Sequence, residues 1–283
     1  IENKLLIVVF MFRIRDSFAA GKFYSDDPGS LKNQIGSAFN HKLGPKGVKL
    51  HKVIAGIVPH SAIDLSGPVA SWVYSRTDKS NFIILGASHR PLRQQFAIIK
   101  EGFWRTPLGE TFVDSKMAKK ITDMCKLVEY DTLPHENEHS IEVQLPFLQY
   151  RFGSDFMFVP IMIHNQFADE DFLKKCTVVG QAIADAVRLS REDWTIIATS
   201  EFPYNKRTDV KMLKSIMKLD GKKFFDLIKE SGANVCGFGT VATALAASKK
   251  LRAKKSRLLK YASAVDLGSA PGLTGAYASI IIY

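Results

Sequence analysis

The chain has 283 residues, 46% of them hydrophobic, enough to bury a sizeable core and within the range of one large α/β unit. Its 39 Lys+Arg against 28 Asp+Glu give a formal charge of +11, so an acidic partner has to be weighed. The apolar run LLIVVFMF (5–12) is too short to cross a bilayer. The charged RIRD after it, with no small-residue cleavage site, argues against a signal peptide.

Taken in chain order, that first run reads as an edge strand or as sequence upstream of a start at Met11, which makes 1–15 an extension. Leu31, Ile35 and Phe39 then recur at helical spacing. VIAGIV (53–58) and FIILG (82–86) are continuous apolar runs, as expected of strands covered on both faces, with a helical pattern at 66–76 between them. A further helix is expected over 115–127. EHSIEVQL (138–145) reads as a helix opened by Ser140, with Ile141 and Leu145 on one apolar stripe and Glu138, His139 and Glu142 gathered at its start. FMFVPIMI (156–163) and WTIIATS (194–200) are two more buried strands, separated by a helical pattern at 171–187. Helices over 209–230 and 240–252 and two strands, LLKYASAV and AYASIIIY, close the chain. This alternation predicts a single layered α/β domain over 1–283, with helices on both sides of a largely parallel sheet.

In such sheets ligands bind where loops leave the carboxyl ends of strands. The four core strands exit into Pro59-His60-Ser61, Ser88-His89-Arg90, His164 and Glu201. Cys236, in NVCGFGT just before a predicted helix, is one more candidate, because a helix N-terminus lowers the pKa of a thiol. Two imidazoles with a carboxylate or thiolate suit a first-row divalent metal and leave positions open for substrate or water. Cys125 and Cys176 fall within helical patterns and read as inert buried groups. Three widely spaced cysteines give no disulfide framework, so a reducing cytoplasm is the expected setting. Seven of the twelve residues at 249–260 are basic, and 206–223 holds seven more. No aromatics interleave the 249–260 run, so it reads as solvated surface and a nucleic-acid partner is not expected.

These residues sit in a set of motifs that resembles the Memo family, known in microbes as AmmeMemoRadiSam system protein B. PHSAIDLSGPVA resembles that family's PHAGYxYSG, ILGASHR its GPSHH and FWRTPLGE its WxTPLG. DSFAAGKFYSDDPGSL near the start, ATSEF for its SSD segment and CGFGTVATAL for its CG-containing helix start agree in order and spacing. EHSIEVQLPFLQY, close to EHSIEVQLPFL, is the most specific match. The resemblance implies a three-layer αβα fold with a largely parallel or mixed sheet, similar to the class III extradiol dioxygenases (LigB-like). Those enzymes hold non-haem Fe(II) with two histidines and a glutamate and open catechol rings with O₂.

Carried over by position, the resemblance places the metal ligands on His60, His89 and Cys236, with Glu201 where the family has Asp. The implied ion is divalent, iron first, with zinc and copper as the other candidates. Tyr204 stands where the family's acid/base histidine is expected, and Arg90 where it has a second histidine. A phenol is a poor proton acceptor near neutrality. Tyr204, at that acid/base position, and His139 and Glu138, from the best-matched motif, are assigned to the site as its catalytic residues. The expected activity is a metal-dependent oxidoreductase acting on a small molecule in the cleft. The alternative is a binding module that uses the same cleft for a peptide or protein partner without chemistry.

Overall fold

A computed structural model of the protein describes residues 13–47, 51–91, 93–268 and 275–283, so the apolar run at 5–12 lies outside the described residues. In chain order the first elements are β1 (Ile14–Arg15), α1 (Pro28–Asn40), β2 (Ala55–Val58), α2 (Ile63–Tyr74) and β3 (Asn81–Ala87). Shorter ones follow: β4 (Phe96–Ile98), β5 (Phe103–Thr106), β6 (Gly109–Val113), α3 (Ser115–Met124), β7 (Val128–Tyr130) and α4 (Leu133–Glu136). Then come α5 (Leu145–Phe152), β8 (Met157–Ile163), α6 (Glu170–Arg188) and β9 (Trp194–Thr199). Three helices, α7 (Lys206–Met217), α8 (Gly221–Ser231) and α9 (Phe238–Lys250), precede the final pair β10 (Ser256–Ser263) and β11 (Ala276–Ile282).

The four continuous apolar runs become neighbouring parallel strands in the order β8-β3-β9-β2, at the centre of a mixed sheet. β11 and β10 extend it antiparallel on one side; β6, β5 and β1 extend it on the other. Alternate side chains feed two cores. On β3, Ile83 and Leu85 pack with the apolar faces of α3 and α6 to α9, whereas Phe82 and Ile84 pack with α1, α2 and α5. All four are fully buried, and each such side chain contributes about 1.5–3 kcal/mol, so the run cannot lie at the surface. The result is the expected three-layer α/β arrangement. Among the described residues no helix is long and apolar enough to cross a membrane.

Two helices differ from the sequence expectation. The single helix at 209–230 is two, because Leu219 turns into the left-handed region (φ 55°) and the Asp220 side chain then accepts the Lys223 amide at 2.9 Å as a new N-cap. Apolar spacing runs across this break because Met212, Leu213 and Ile216 face the same core as Phe224, Phe225 and Ile228. The EHSIEVQL segment does not open a helix at Ser140. It is a turn followed by a 3₁₀ turn, Glu142–Gln144, and α5 starts only at Leu145 with Pro146 in its first turn. The Ser140 hydroxyl donates instead to the Ala87 carbonyl at 2.9 Å, which hangs this loop on the carboxyl end of β3.

Candidate metal centre

One rule builds the rim of the site. His60, His89 and Glu201 are each the second residue past the end of β2, β3 and β9, and the equivalent position after β8 is Asn165. Adjacent parallel strands that end at one level bring these four positions to one end of the sheet. Cys236 joins them through a two-residue antiparallel bridge, in which the Glu201 and Cys236 amides each donate to the other's carbonyl at 3.0 Å. Gly237 makes that approach possible. It is left-handed (φ 78°), and a Cβ there would stand 2.2 Å from the Thr199 carbonyl oxygen. It is also the N-cap of α9, so Cys236 sits at the positive end of a helix.

The side chains converge in a cleft of about 380 Å³. Cys236 Sγ lies 3.3 Å from His60 Nε2 and 3.3 Å from His89 Nε2. Ring nitrogens of His60, His89 and His139 all lie within 4.8 Å of one another. Ligands 2.0–2.3 Å from a common centre have mutual separations in this range, so the donor set suits a metal ion. Glu201 stands back from the group, its Oε1 accepting the His60 amide at 3.0 Å.

Glu138 and His139 reach the site through the loop that replaces the expected helix start. The Glu138 carboxylate accepts the amides of His89 (2.9 Å), His139 (2.7 Å) and Ser140 (3.0 Å). It also meets His89 Nδ1 at 3.0 Å from both oxygens. A carboxylate can only accept, so Nδ1 carries the proton and Nε2 faces Cys236. This is the outer-shell arrangement that orients metal-binding histidines. The His139 ring is sandwiched between Phe23, at 4.0 Å between centroids, and His89, at 4.6 Å.

Glu142 points the other way. Fully buried, it pairs with Arg15 at 2.5 Å and accepts from Tyr24 Oη (2.5 Å) and from the amides of Phe18 (3.0 Å) and Ala19 (2.8 Å). Arg15 in turn donates to the carbonyls of His135 (2.6 Å) and Glu138 (2.8 Å). The N-terminal motif and the EHSIEVQL loop are thus one polar knot. It holds Glu138 toward the site and supplies Phe23 to stack on His139.

Charge in the cleft is strongly redistributed. Burial pushes the Cys236 thiol up, but the charge and hydrogen bonds of His60 and His89 outweigh it and bring the thiol down to about 6. Burial would lower His89, yet its bonds to Cys236 and Glu138 raise it to about 10. Glu138, opposed by burial, is drawn down to about 2 by the same His89 contacts. Burial and the neighbouring His60 and His89 hold His139 neutral, with a pKa of about 3 despite Glu138. Without a metal the cleft therefore holds an ionised thiolate and carboxylate around a protonated His89 at neutral pH.

Tyr204 is not among the residues lining the cleft. It is exposed, on left-handed backbone (φ 61°) in the loop between β9 and α7. His164 is one residue short of the rim, and Asn165 lines the cleft in its place while accepting the Gly239 amide at 3.0 Å. Cys176 is buried, which pushes its thiol up to about 12. The basic residues Lys206, Arg207, Lys211, Lys214, Lys222 and Lys223 occupy the exposed faces of α7 and α8. Phe23, Asn165 and Tyr277 are site neighbours that sequence reasoning missed. Tyr277, buried at the start of β11, lies close enough to Ser61 and Glu201 for both to act on its phenol, and only its place at the start of a strand entering this end of the sheet could have signalled it.

A family model described as Memo-like protein matches residues 15–281. The chain belongs to the Memo family. A MEMO1 family protein of Pyrobaculum aerophilum is 35% identical to it over 285 residues, covering 96% of this chain and 99% of that one. One of Methanopyrus kandleri is 34% identical over 282 residues, covering 94% and 98%. Among solved structures, an uncharacterized protein from Escherichia coli K12 matches with a TM-score of 0.47 and 10% identity, over 80% of this chain and 98% of that chain. In this Memo-family chain the best-matched motif, EHSIEVQL, supplies both the carboxylate behind His89 and the third histidine of the cluster.

Proposed function

We propose that this Memo-family protein holds a divalent metal, iron first with zinc and copper as the other candidates, and with iron acts as a metal-dependent oxidoreductase on a small phenolic molecule. The observation that carries the reading is the convergence of two Nε2 atoms on one cysteine sulfur, with a carboxylate fixing the tautomer of His89. His60, His89 and Cys236 would hold the ion at the edge of the cleft. A bound ion of this kind supplies activation of O₂ and polarisation of a coordinated phenol. The chain's own residues do the rest. Glu138 orients His89, and Glu201 fixes the backbone of His60. His139, stacked on Phe23 with its ring nitrogens close to those of His60 and His89, is the residue placed to exchange a proton with a molecule in the cleft. Glu138, with both oxygens already occupied, is a positioning residue and not an acid/base. Similarity to the class III extradiol dioxygenases makes ring opening of a catechol the reaction to test first.

The second reading is a binding module that uses the same cleft without turnover. The position of Tyr204 outside the cleft favours it, since the acid/base group expected there has no access to a bound molecule. Anaerobic metal titration followed by O₂ uptake with a panel of catechols decides between them. The oxidoreductase reading expects uptake that requires the metal and is lost in His139→Ala while metal stoichiometry is kept. Metal binding without uptake on any catechol leaves the binding module.

A further inference from the structure

A groove of about 460 Å³ runs between α6 and α8, and no residue lines both it and the metal cleft. The sequence of α6 makes it. Phe172, Cys176 and Val179 turn into the core, while Leu173 and Thr177, one position further round the helix, form a second stripe that is only half-buried. α8 covers that stripe in part, with Phe225 buried between, and leaves Leu173, Thr177 and the exposed Val178 as an open wall. Ala168 and Asp169 also line the groove. The residue before them, Phe167, is 79% exposed, the most exposed large apolar side chain among the described residues.

An apolar knob and an apolar hole on one patch are what a two-fold contact needs, because each copy presents both to the other. Charge points to the same occupant. The chain carries +11, so two copies repel over much of their surface. The exposed face of α7, for instance, presents Arg207, Lys211 and Lys214, none of them in an ion pair among the described residues. The groove is balanced instead, with Asp169, Glu170 and Asp226 set against Lys174, Lys222 and Lys229. Glu170 pairs with Lys174 at 3.1 Å, Asp226 with Lys222 at 3.0 Å, and Asp169 caps α6 through the Phe172 amide at 2.8 Å. Most of the rim charge is thus already satisfied. An acidic partner is drawn to α7 in preference to this patch, whereas a second copy meets its least repulsive surface here.

We propose that this groove is a two-fold interface between copies of the chain, in which Phe167 of each enters the groove of the other. A contact of this kind closes on itself, so the product is a dimer and not a filament. It also bears on the cleft. Asn165 and Gln166, just before Phe167, line that cleft, so pairing fixes the loop that forms this part of its rim.

The test is sedimentation of the full chain at concentrations up to about 100 µM, for wild type, Phe167→Asp, Val178→Asp and an equimolar mixture of the two variants. Both side chains are exposed, so both variants are expected to keep the wild-type melting temperature. Burying one phenylalanine strengthens association about tenfold or more. Either variant alone loses that contact twice, once per copy, and is expected to dimerise about a hundredfold more weakly than wild type. In the mixture the Phe167→Asp copy keeps its groove and the Val178→Asp copy keeps its phenylalanine. One contact survives, and association is expected to return to within about tenfold of wild type. The wild-type dimer should hold or tighten as NaCl rises from about 0.05 to 0.5 M, because salt screens the net charge. A wild type that is monomeric at about 100 µM, as it would be if a different protein fills the groove, overturns the proposal. So does a dimer that survives Phe167→Asp, a mixture that associates no better than its components, or a dimer that salt dissociates.

Discussion

Replacing Glu138 by glutamine keeps the shape of the side chain and removes what it does. The carboxylate faces only donors: three backbone amides at 2.7–3.0 Å and His89 Nδ1 at 3.0 Å. Glutamine can accept with one atom, and its amide nitrogen must face an N–H. Losing even one charge-assisted bond of this kind costs about 1.5–3 kcal/mol. The titration of the group gives a consistent scale. Its pKa lies at about 2 against an ordinary 4.5, and at 1.36 kcal/mol per unit that is about 3 kcal/mol of stability at neutral pH. The sign follows from the depression: this contribution is present in full above the ordinary carboxylate range and is lost as pH falls from about 4.5 toward 2. In guanidinium denaturation of the metal-free protein, Glu138→Gln should therefore be less stable than wild type by about 3 kcal/mol at pH 7, and the gap should narrow by pH 3. Chelator competition should show metal affinity reduced by about 10–100-fold, the usual effect of removing an outer-shell partner. Wild-type stability together with wild-type metal affinity in this variant would refute the role assigned to Glu138.

Metal binding should release protons, because the ion displaces the one held by His89. Between the Cys236 value of about 6 and the His89 value of about 10, affinity should rise about tenfold per pH unit, and more steeply below 6; a pH-independent affinity in chelator competition would contradict this. Glu142→Gln leaves Arg15 buried without its charge partner and should destabilise the fold by about 3–5 kcal/mol, read as a shift in the denaturation midpoint; a change under 1 kcal/mol would argue against the polar knot. Tyr204→His should leave both metal affinity and catechol turnover unchanged, since Tyr204 does not line the cleft; a gain of ring-opening activity would place it in the site.

The centre of the fold was legible because β2, β3, β8 and β9 are buried on both faces and so read as unbroken apolar runs. Their exits, by the rule for parallel sheets, pointed to His60, His89 and Glu201. The same rule missed by one residue after β8, because it took the first residue past FMFVPIMI, His164, whereas the rim falls on the second, Asn165. The short elements between β3 and α5 carry no clear period. The hairpin of β5 and β6, closed by Pro107, Leu108 and the left-handed Gly109, was visible only as a motif. EHSIEVQL misled because a serine followed by Glu and an apolar stripe imitates a helix cap, whereas Pro146 marks the true first turn. The opposite orientations of Glu138 and Glu142 could not be read locally. They depend on Arg15 and Tyr24, more than a hundred residues earlier in the chain, arriving beneath the loop. Resemblance placed His139 in the site as a catalytic residue; the structure puts its ring nitrogen within reach of those of His60 and His89.

The central claim is that His60, His89 and Cys236 make a metal site. The most direct measurement is elemental analysis of protein purified anaerobically without a metal-chelating tag, wild type beside His89→Ala and Cys236→Ser. The account predicts about one iron, copper or zinc per wild-type chain and a marked loss in both variants. A wild-type protein that is free of metal as purified, and that takes up none of the three on anaerobic titration, would contradict it.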